Sequence, residues 1–277
     1  MDPFFLLFNS IDVILITLQL IRYQMASNEY WEGRNLEKND VLKEAVAKIF
    51  KFDSVDSDGG TGTKGDLIGI NGDKRTHVSV KYASGGNTQV HLPTLKSLAT
   101  QLKIPTDLYN KLDKFFGTND LAQWAEWSKG VKLDAEEIKY RRIKSKNIEG
   151  WNEVEQWFND NKRKIAVLLL QSLKEEDKAP WLIWANKKKG GFQAIDVNKF
   201  VDWIVDNCTW VTMPKGTVLR CAMPSDKEGK IGKPIFFVQM KNSGGPPDGY
   251  NHCPQFHLHN NWPKEFIVHE DANIRFN

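Results

Sequence analysis

Two short segments carry residue types that phosphodiester hydrolysis needs. Asp66 lies in the segment Gly65–Gly69, and Ser79-Val80-Lys81 begins thirteen residues after it. A carboxylate can hold Mg²⁺, an oxygen-loving ion usually bound by one or two carboxylates together with phosphate and water. The metal lowers the pKa of its bound water and neutralises charge on the phosphate, while a lysine orients or deprotonates that water or offsets charge in the transition state. This chemistry requires that the fold bring the carboxylate and the ammonium together.

A β-hairpin is the element that would do so. Residues 66–70 have the pattern of a short strand, and residues 71–75 contain the Asn-Gly signal of a tight turn. Residues 76–82 alternate polar and apolar side chains and are rich in β-branched types, which predicts the returning strand. Asp66 then begins one strand and Lys81 lies near the end of its antiparallel neighbour. The two side chains should therefore meet at the same end of a small sheet.

The alternative explanation is a solvated cross-strand ion pair, which contributes less than about 1 kcal/mol to stability. Three features near the hairpin favour catalysis over this explanation. A helix predicted over residues 41–50, capped by Asn39 or Asp40, carries Glu44, and a Gly-rich loop leads into Asp66. A Thr-Gln-Val run containing Gln89 follows the lysine strand.

The arrangement resembles the PD-(D/E)xK nuclease superfamily and, within it, the type II restriction endonucleases. The resemblance covers roughly residues 40–103 well and the remainder loosely. In that family a helix often carries a glutamate, a strand carries the aspartate, and the next strand carries an acid two residues before a lysine. Glu44, Asp66 and Lys81 occupy those places here. The resemblance implies a Mg²⁺-dependent nuclease in which Asp66 binds the metal, Glu44 supports it and Lys81 acts on the water or the transition state.

The sequence departs from the family pattern at two positions. Gly65 replaces the usual proline before the aspartate, and Ser79 replaces the usual acid before the lysine. The second metal carboxylate is therefore unassigned, with Glu44 as its first candidate. Gln89 is interpreted as a neutral replacement that contacts the metal-bound water, and Ser79 and Gln89 together would complete the shell.

Two C-terminal strands are candidates for DNA recognition. The segments KPIFFVQMKNSGG and CPQFHLH are strand-like and polar at their ends. Amides read adenine bidentately and small hydroxyls contact either base type, so these side chains are predicted to meet base edges or phosphates. The predicted residues are Asn242, Ser243, Gln255, His257 and His259. The alternative is a half-buried strand with one wet face.

Two basic clusters are candidates for contacts with the DNA backbone. Lys187, Lys188 and Lys189 precede two glycines, and Arg141 and Arg142 lie in the densest basic run, KYRRIKSK. Lysine and arginine neutralise phosphates and release counterions, which supports DNA binding. The alternative for the lysine run is a solvated hairpin tip.

Two further patterns compete with these assignments. Gln239-Met240-Lys241 is a rival catalytic strand of the form Q-x-K, but no carboxylate precedes it at hairpin distance. His252, Cys253, His257 and His259 suggest zinc, yet their spacing fits no closed Cys/His site. The phosphate-binding loop, the HExxH zinc motif and the GxSxG nucleophile elbow are not in the sequence.

Composition excludes several classes of protein. The chain has 277 residues, of which 40% are hydrophobic and 26% charged, which excludes collagen-like, disordered and polytopic membrane chains. A net charge of +3 permits nucleic-acid binding without arguing for it. Three scattered cysteines, Cys208, Cys221 and Cys253, favour a reducing compartment, and we expect a cytoplasmic protein.

The fold class that follows is α/β. We expect a restriction-endonuclease-like mixed central sheet flanked by helices, with a helical insert and a β-rich C-terminal part. Residues 25–277 would form a single nuclease domain. Its parts would be a catalytic core over 25–105, a helical part over 106–178 and a β-rich DNA-recognition part over 179–277.

Residues 1–24 are strongly apolar and differ from the rest of the chain. They lie upstream of a true start at Met25, form a membrane anchor, or form a helix packed on the domain. The first interpretation is preferred because MASNEYW begins an ordinary hydrophilic N-terminus and Asp2 stands where a secretory signal carries positive charge.

The expected function is sequence-specific cleavage of double-stranded DNA by a homodimer that is functionally paired with a DNA methyltransferase. Two other classes stay open. One is a repair or junction-resolving nuclease with the same Asp and Lys core. The other is a non-enzymatic DNA- or partner-binding protein in which Asp66 and Lys81 are structural.

Overall fold

The computed structural model describes ten stretches of the chain. They are residues 36–58, 65–83, 85–91, 93–116, 148–186, 190–213, 218–225, 227, 230–241 and 253–273. The apolar leader over residues 1–24 lies outside them. No helix in the described part is long and apolar enough to cross a membrane.

The predicted hairpin begins the first of two β-sheets. Strand β1 (Ser54–Ser57) pairs antiparallel with β2 (Leu67–Asn71), which pairs antiparallel with β3 (Lys74–Ala83). The turn between β2 and β3 contains Gly72 at φ 55°, a left-handed conformation that glycine adopts at little cost. The predicted hairpin turn is therefore confirmed, with Gly72 and Asp73 at its centre and Asn71 paired with Lys74.

A parallel pairing extends this sheet. β3 pairs parallel with β5 (Trp181–Asn186), and β5 continues antiparallel through β6 (Phe192–Asp196) to β11 (Ile267–Asp271). The strand order is β1-β2-β3-β5-β6-β11. One parallel pair among antiparallel ones makes this a mixed sheet, as predicted.

The second sheet is antiparallel throughout. Its strands in spatial order are β4 (Asn87–His91), β10 (Cys253–His259), β9 (Pro234–Lys241), β8 (Val218–Ala222) and β7 (Thr209–Thr212). β4 follows β3 after a short turn, so the chain leaves the first sheet and enters the second directly after the lysine strand. The β-rich C-terminal part supplies the other four strands.

In the described ranges, six α-helices surround the sheets. They are α1 (Asp40–Phe50), α2 (Leu95–Leu102), α3 (Thr106–Phe116), α4 (Trp151–Asp160), α5 (Lys162–Leu170) and α6 (Val197–Asn207). The side chain of Asn39 accepts a hydrogen bond of 3.0 Å from the Leu42 amide, which caps α1 as predicted. The 151–170 segment is helical as predicted, but it divides at Asn161, where the backbone is not helical.

Two hydrophobic cores fix where the layers lie. The larger core joins one face of the first sheet, through Leu182 and Trp184, to the inner face of the second sheet, through Phe236 and Phe256, and to helices α2–α6. The smaller core packs α1 on the opposite face of the first sheet, against Leu67 and Val78. The predicted mixed sheet flanked by helices is thereby confirmed.

Two strands were missed by the sequence patterns. The segment DSVDSDGG was interpreted as a loop because of its Asp, Ser and Gly content, yet Ser54–Ser57 is a strand. Val55 packs against the smaller core, and this tertiary contact outweighs the composition. β11 lies at the sheet edge with an irregular register, and its sequence alternates too weakly to predict it.

Candidate active site

Asp66 and Lys81 meet at the end of the β2–β3 hairpin, as predicted. The Lys81 Nζ atom lies 3.1 Å from Asp66 Oδ2. The same ammonium donates to the carbonyl oxygen of Val80 at 3.0 Å. The two segments of the motif are thus joined by direct contacts.

Two more donors reach the same carboxylate oxygen. Ser79 Oγ lies 3.3 Å and the Val80 amide nitrogen 2.6 Å from Asp66 Oδ2. In the part of the chain that the structure describes, no donor contacts the other oxygen, Oδ1. One oxygen of Asp66 is therefore anchored by three donors, and the second is available to a ligand.

The unequal lengths of the two strands explain this geometry. β3 runs to Ala83, whereas its pairing with β2 ends at Val78 opposite Leu67. Beyond that point the Val80 amide and carbonyl on the β2 side have no strand partner among the described residues. The Asp66 carboxylate accepts a hydrogen bond from the Val80 amide, and the Lys81 ammonium donates one to the Val80 carbonyl.

Burial separates this group from an ordinary surface ion pair. The Lys81 side chain is 16% exposed and the Asp66 side chain 33% exposed. Ser79 is fully buried, although it is polar. Ion pairs in such partly desolvated surroundings interact more strongly than solvated ones. The group is half-enclosed yet open enough for a ligand to reach Asp66.

Glu44 is not brought to this group. It is exposed on α1, and its side chain makes no hydrogen bond or ion pair with the described residues. Its helix packs on the face of Leu67 and Val78, whereas strand alternation places Ser79 and Lys81 on the opposite face. Across the described ranges, no three His, Cys, Asp or Glu side chains are arranged to hold a metal ion. The role of Glu44 as second metal carboxylate stays a prediction.

Gln89 lies in the second sheet, on β4. Its Oε1 atom accepts a hydrogen bond from Gln255 Nε2 on β10. The register places Gln89 opposite His257, next to a bulge in the pairing of β4 with β10. The predicted shell residue is thus in contact with a predicted DNA-recognition residue, while its proposed contact with a metal-bound water stays a prediction.

The three described recognition candidates share one face of β10. Pro254, Phe256 and Leu258 are buried, so Gln255, His257 and His259 project to the other face. Gln239 of the rival Q-x-K strand lies opposite Gln255. Burial and the nearby Arg220 lower the pKa of His259 below its usual value. The remaining DNA-binding candidates lie outside the described residues: Arg141, Arg142, Lys187, Lys188, Lys189, Asn242 and Ser243.

Two residues beside Asp66 were missed. His77 Nδ1 lies 3.1 Å from Asp58 Oδ2, and the Asp58 amide donates to the Asp66 carbonyl at 3.0 Å. His77 also packs against Gly65, so the pair borders Asp66 on its N-terminal side. Strand alternation places His77 on the face of Ser79 and Lys81, and this period of two was the signal that could have identified it.

Two solved structures align with the backbone of this chain. The restriction endonuclease MspI in complex with its cognate DNA aligns with TM-score 0.44 and 10% identity, over 76% of this chain and 75% of that chain. HhaI endonuclease in complex with DNA aligns with TM-score 0.32 and 12% identity, over 81% of this chain and 91% of that chain. No protein-family model matches the sequence. No curated protein matches it either.

Proposed function

We propose that the chain is a Mg²⁺-dependent endonuclease that cleaves double-stranded DNA at specific sequences, as type II restriction enzymes do. One observation carries the proposal. The carboxylate of Asp66, the hydroxyl of Ser79 and the ammonium of Lys81 are joined at 3.1–3.3 Å at a half-enclosed sheet end. Phosphodiester hydrolysis by this motif requires a carboxylate and an ammonium close together, and these contacts provide both.

The residues fit a single Mg²⁺ ion. Mg²⁺ is commonly held by one or two carboxylates, with water and substrate phosphate filling its other positions. Asp66 offers such a carboxylate, because its Oδ1 atom receives no donor in the described part of the chain while Oδ2 is anchored. Bound Mg²⁺ would lower the pKa of a water molecule and neutralise charge on the phosphate.

Lys81 has one donor left for the reaction. An ammonium has three N–H donors, and two of them contact Asp66 Oδ2 and the Val80 carbonyl. The third contacts no acceptor among the described residues and can orient the attacking water or offset charge on a phosphate oxygen. In the hydrolysis, the water oxygen bonds to phosphorus, one P–O bond breaks and the leaving oxygen takes a proton.

Specific cleavage of both strands implies further partners. A homodimer suits a palindromic DNA site, because its two-fold symmetry matches that of the site. A DNA methyltransferase would protect host DNA from such an enzyme. Both partners belong to the proposal, together with a cytoplasmic location.

The test is cleavage of mixed plasmid DNA by protein beginning at Met25, with and without Mg²⁺, followed by sequencing of the fragment ends. Asp66→Asn keeps an acceptor for the Val80 amide but removes the charge that holds the metal. Lys81→Met removes the ammonium. Each variant should cleave at least about 100-fold more slowly and still bind the specific duplex, since groups of this kind typically contribute 10²- to 10⁴-fold.

Lys111→Met is the matched control. The Lys111 side chain is 20% exposed and pairs with Glu153 at 2.7 Å, so it resembles Lys81 in burial and pairing but lies between α3 and α4. It should cleave at the wild-type rate. Cleavage by Asp66→Asn or Lys81→Met at the wild-type rate would reject the site assignment.

The structural alternative has an observation in its favour. Asp66 accepts a hydrogen bond from the Val80 amide and forms an ion pair with Lys81. A residue with a purely structural role would make the same contacts. In that case no cleavage would appear with Mg²⁺, and both variants would lose stability instead of activity. Discrete fragments favour a restriction enzyme, whereas a smear favours a repair or junction-resolving nuclease.

A further inference from the structure

One face of the second sheet has an unusual composition. We call it the outer face, since the opposite face of this sheet packs into the larger core. Strand alternation and the strand registers assign its members. Its described residues include Asn87, Gln89, Thr209, Val211, Val218, Arg220, Phe237, Gln239, Gln255, His257 and His259.

The outer face carries amides, imidazoles and one guanidinium, with no carboxylate among these described residues. Arg220 is partly buried, and its side chain makes no hydrogen bond or ion pair with any described residue. Its five donors therefore contact no acceptor among the described residues, and no described carboxylate on the sheet balances its charge. A surface with this composition is complementary to an anionic partner that offers hydrogen-bond acceptors.

Several contacts hold the face in one arrangement. The Gln255 amide donates to the Gln89 side chain across β10 and β4. The ring of His257 stacks on Phe237, with centroids 4.4 Å apart and planes inclined by 7°. His259 lies against the same ring at 5.1 Å. The polar groups are thus ordered before any partner binds.

The face also matches the dimensions of a DNA groove. The register places His257 opposite Phe237 and Phe237 opposite Arg220, so one row crosses three strands. Strands lie about 4.8 Å apart, and the row therefore spans about 10 Å. The major groove is about 12 Å wide and admits paired strands.

The candidate active site lies within reach of the same duplex. Gln89 follows Lys81 by eight residues. A chain of eight residues spans at most about 28 Å, which is less than one helical turn of DNA, about 34 Å. The Thr88 hydroxyl also contacts the Tyr82 carbonyl at 3.3 Å, which ties β4 to the end of β3.

We propose that the outer face reads base edges in the DNA groove, with Arg220 and the Gln89–Gln255 pair as specificity-determining groups. Arginine pairs bidentately with guanine, and glutamine pairs bidentately with adenine. The inference rests on the proposed nuclease function and names the residues that select its DNA site.

The test measures DNA binding in the Asp66→Asn background, so that cleavage does not interfere. The preferred site is first identified from the fragment ends of the wild-type protein. Binding is then compared between the preferred duplex and duplexes with single base-pair changes. Arg220→Ala and Gln255→Leu should each weaken binding to the preferred duplex roughly 5- to 150-fold and remove discrimination at one base pair.

Arg220→Lys distinguishes base reading from simple charge. Lysine keeps the positive charge but lacks the planar fork of donors. This variant should keep the salt dependence of binding and still lose discrimination at one position. Arg163→Ala is the matched control, because Arg163 is exposed and paired with Asp202 at 2.7 Å on the helical side. It should leave the site preference unchanged.

The outcomes separate the two proposals. If Arg220→Lys and Gln255→Leu keep the wild-type site and the wild-type discrimination, the outer face does not read bases, while the nuclease proposal stands. A wild-type protein that neither binds nor cleaves duplex DNA overturns both proposals.

Discussion

At the scale of single residues, the position of the Asp66 carboxylate depends on the preceding residue, Gly65. An added Cβ at Gly65 would lie 2.5 Å from His77 Nδ1 and 2.9 Å from His77 Cβ. Real Cβ atoms do not come that close to other atoms, so the segment leading to Asp66 needs glycine here. The packing of His77 therefore leaves no room for a side chain at this position.

Gly65→Ala should therefore displace Asp66. Overpacking of this kind typically costs about 1–3 kcal/mol of stability. A misplacement of about 1 Å at a reacting group can cost 100-fold in rate, so we expect the cleavage rate at saturating DNA to fall more than stability suggests. Single-turnover cleavage and urea unfolding measure the two effects.

Gly85→Ala is the control for that substitution. Gly85 follows β3, and an added Cβ there meets no atom within 4 Å. It should behave like the wild type in both measurements. A Gly65→Ala protein that also matches the wild type would show that Asp66 is not held by this contact.

At the scale of elements, helix α4 closes the edge of the second sheet. The Asn159 side chain donates to the Trp210 carbonyl at 3.0 Å and accepts from the Trp210 amide at 2.8 Å. One turn earlier, Glu155 accepts from the Thr212 amide at 2.8 Å. These side chains replace a neighbouring strand along β7, which would otherwise present unpaired groups at the sheet edge.

Asn159→Ala should destabilise the protein by about 1–3 kcal/mol, because the Trp210 amide and carbonyl lose their partner. The free energy of unfolding in urea measures the loss. Gln156→Ala removes an exposed hydrogen bond to Asp160 on the same helix and should change stability by less than about 0.5 kcal/mol. Equal stability of the two variants would contradict the edge-closing role.

At the scale of the whole molecule, the two sheets share the larger core, and the chain passes from the lysine strand of one sheet to the first strand of the other. Stability of the second sheet is therefore part of global stability. His259 on the outer face couples this stability to pH, since burial and then Arg220 lower its pKa below the usual value of about 6.5. Phe237 and Asn87 lie beside it on the neighbouring strands.

The direction in which the unfolding free energy changes with pH follows from proton binding. A histidine with a lowered pKa binds fewer protons in the folded state than in the unfolded state, so its contribution to stability is present above about pH 6.5 and is lost as the pH falls. We expect the unfolding free energy to fall between pH 7.5 and pH 5.5, and His259→Gln to reduce that fall. Urea unfolding at both pH values measures it, with His269→Gln, an exposed histidine on β11, as the control. An undiminished fall in His259→Gln would contradict the assignment.

Local patterns were sufficient wherever neighbours in the sequence decide the structure. The turn at Gly72 and Asp73 sets the register of β2 and β3, and that register brings Asp66 to Lys81. The period of two along β10 likewise predicted that Gln255, His257 and His259 share a face. The weak strands β1 and β11 were not predictable, because their pairing depends on sheet partners that already exist.

The sequence by itself determined the hairpin, the helices and the meeting of Asp66 with Lys81, because turn chemistry and hydrophobic period act over a few residues. Only the tertiary structure decided that α1 with Glu44 packs on the opposite face, and that Gln89 pairs with Gln255, 166 residues away. It also placed Arg220 beside His259. These outcomes follow from which faces bury against the two cores, and burial depends on contacts between distant segments that no local pattern encodes.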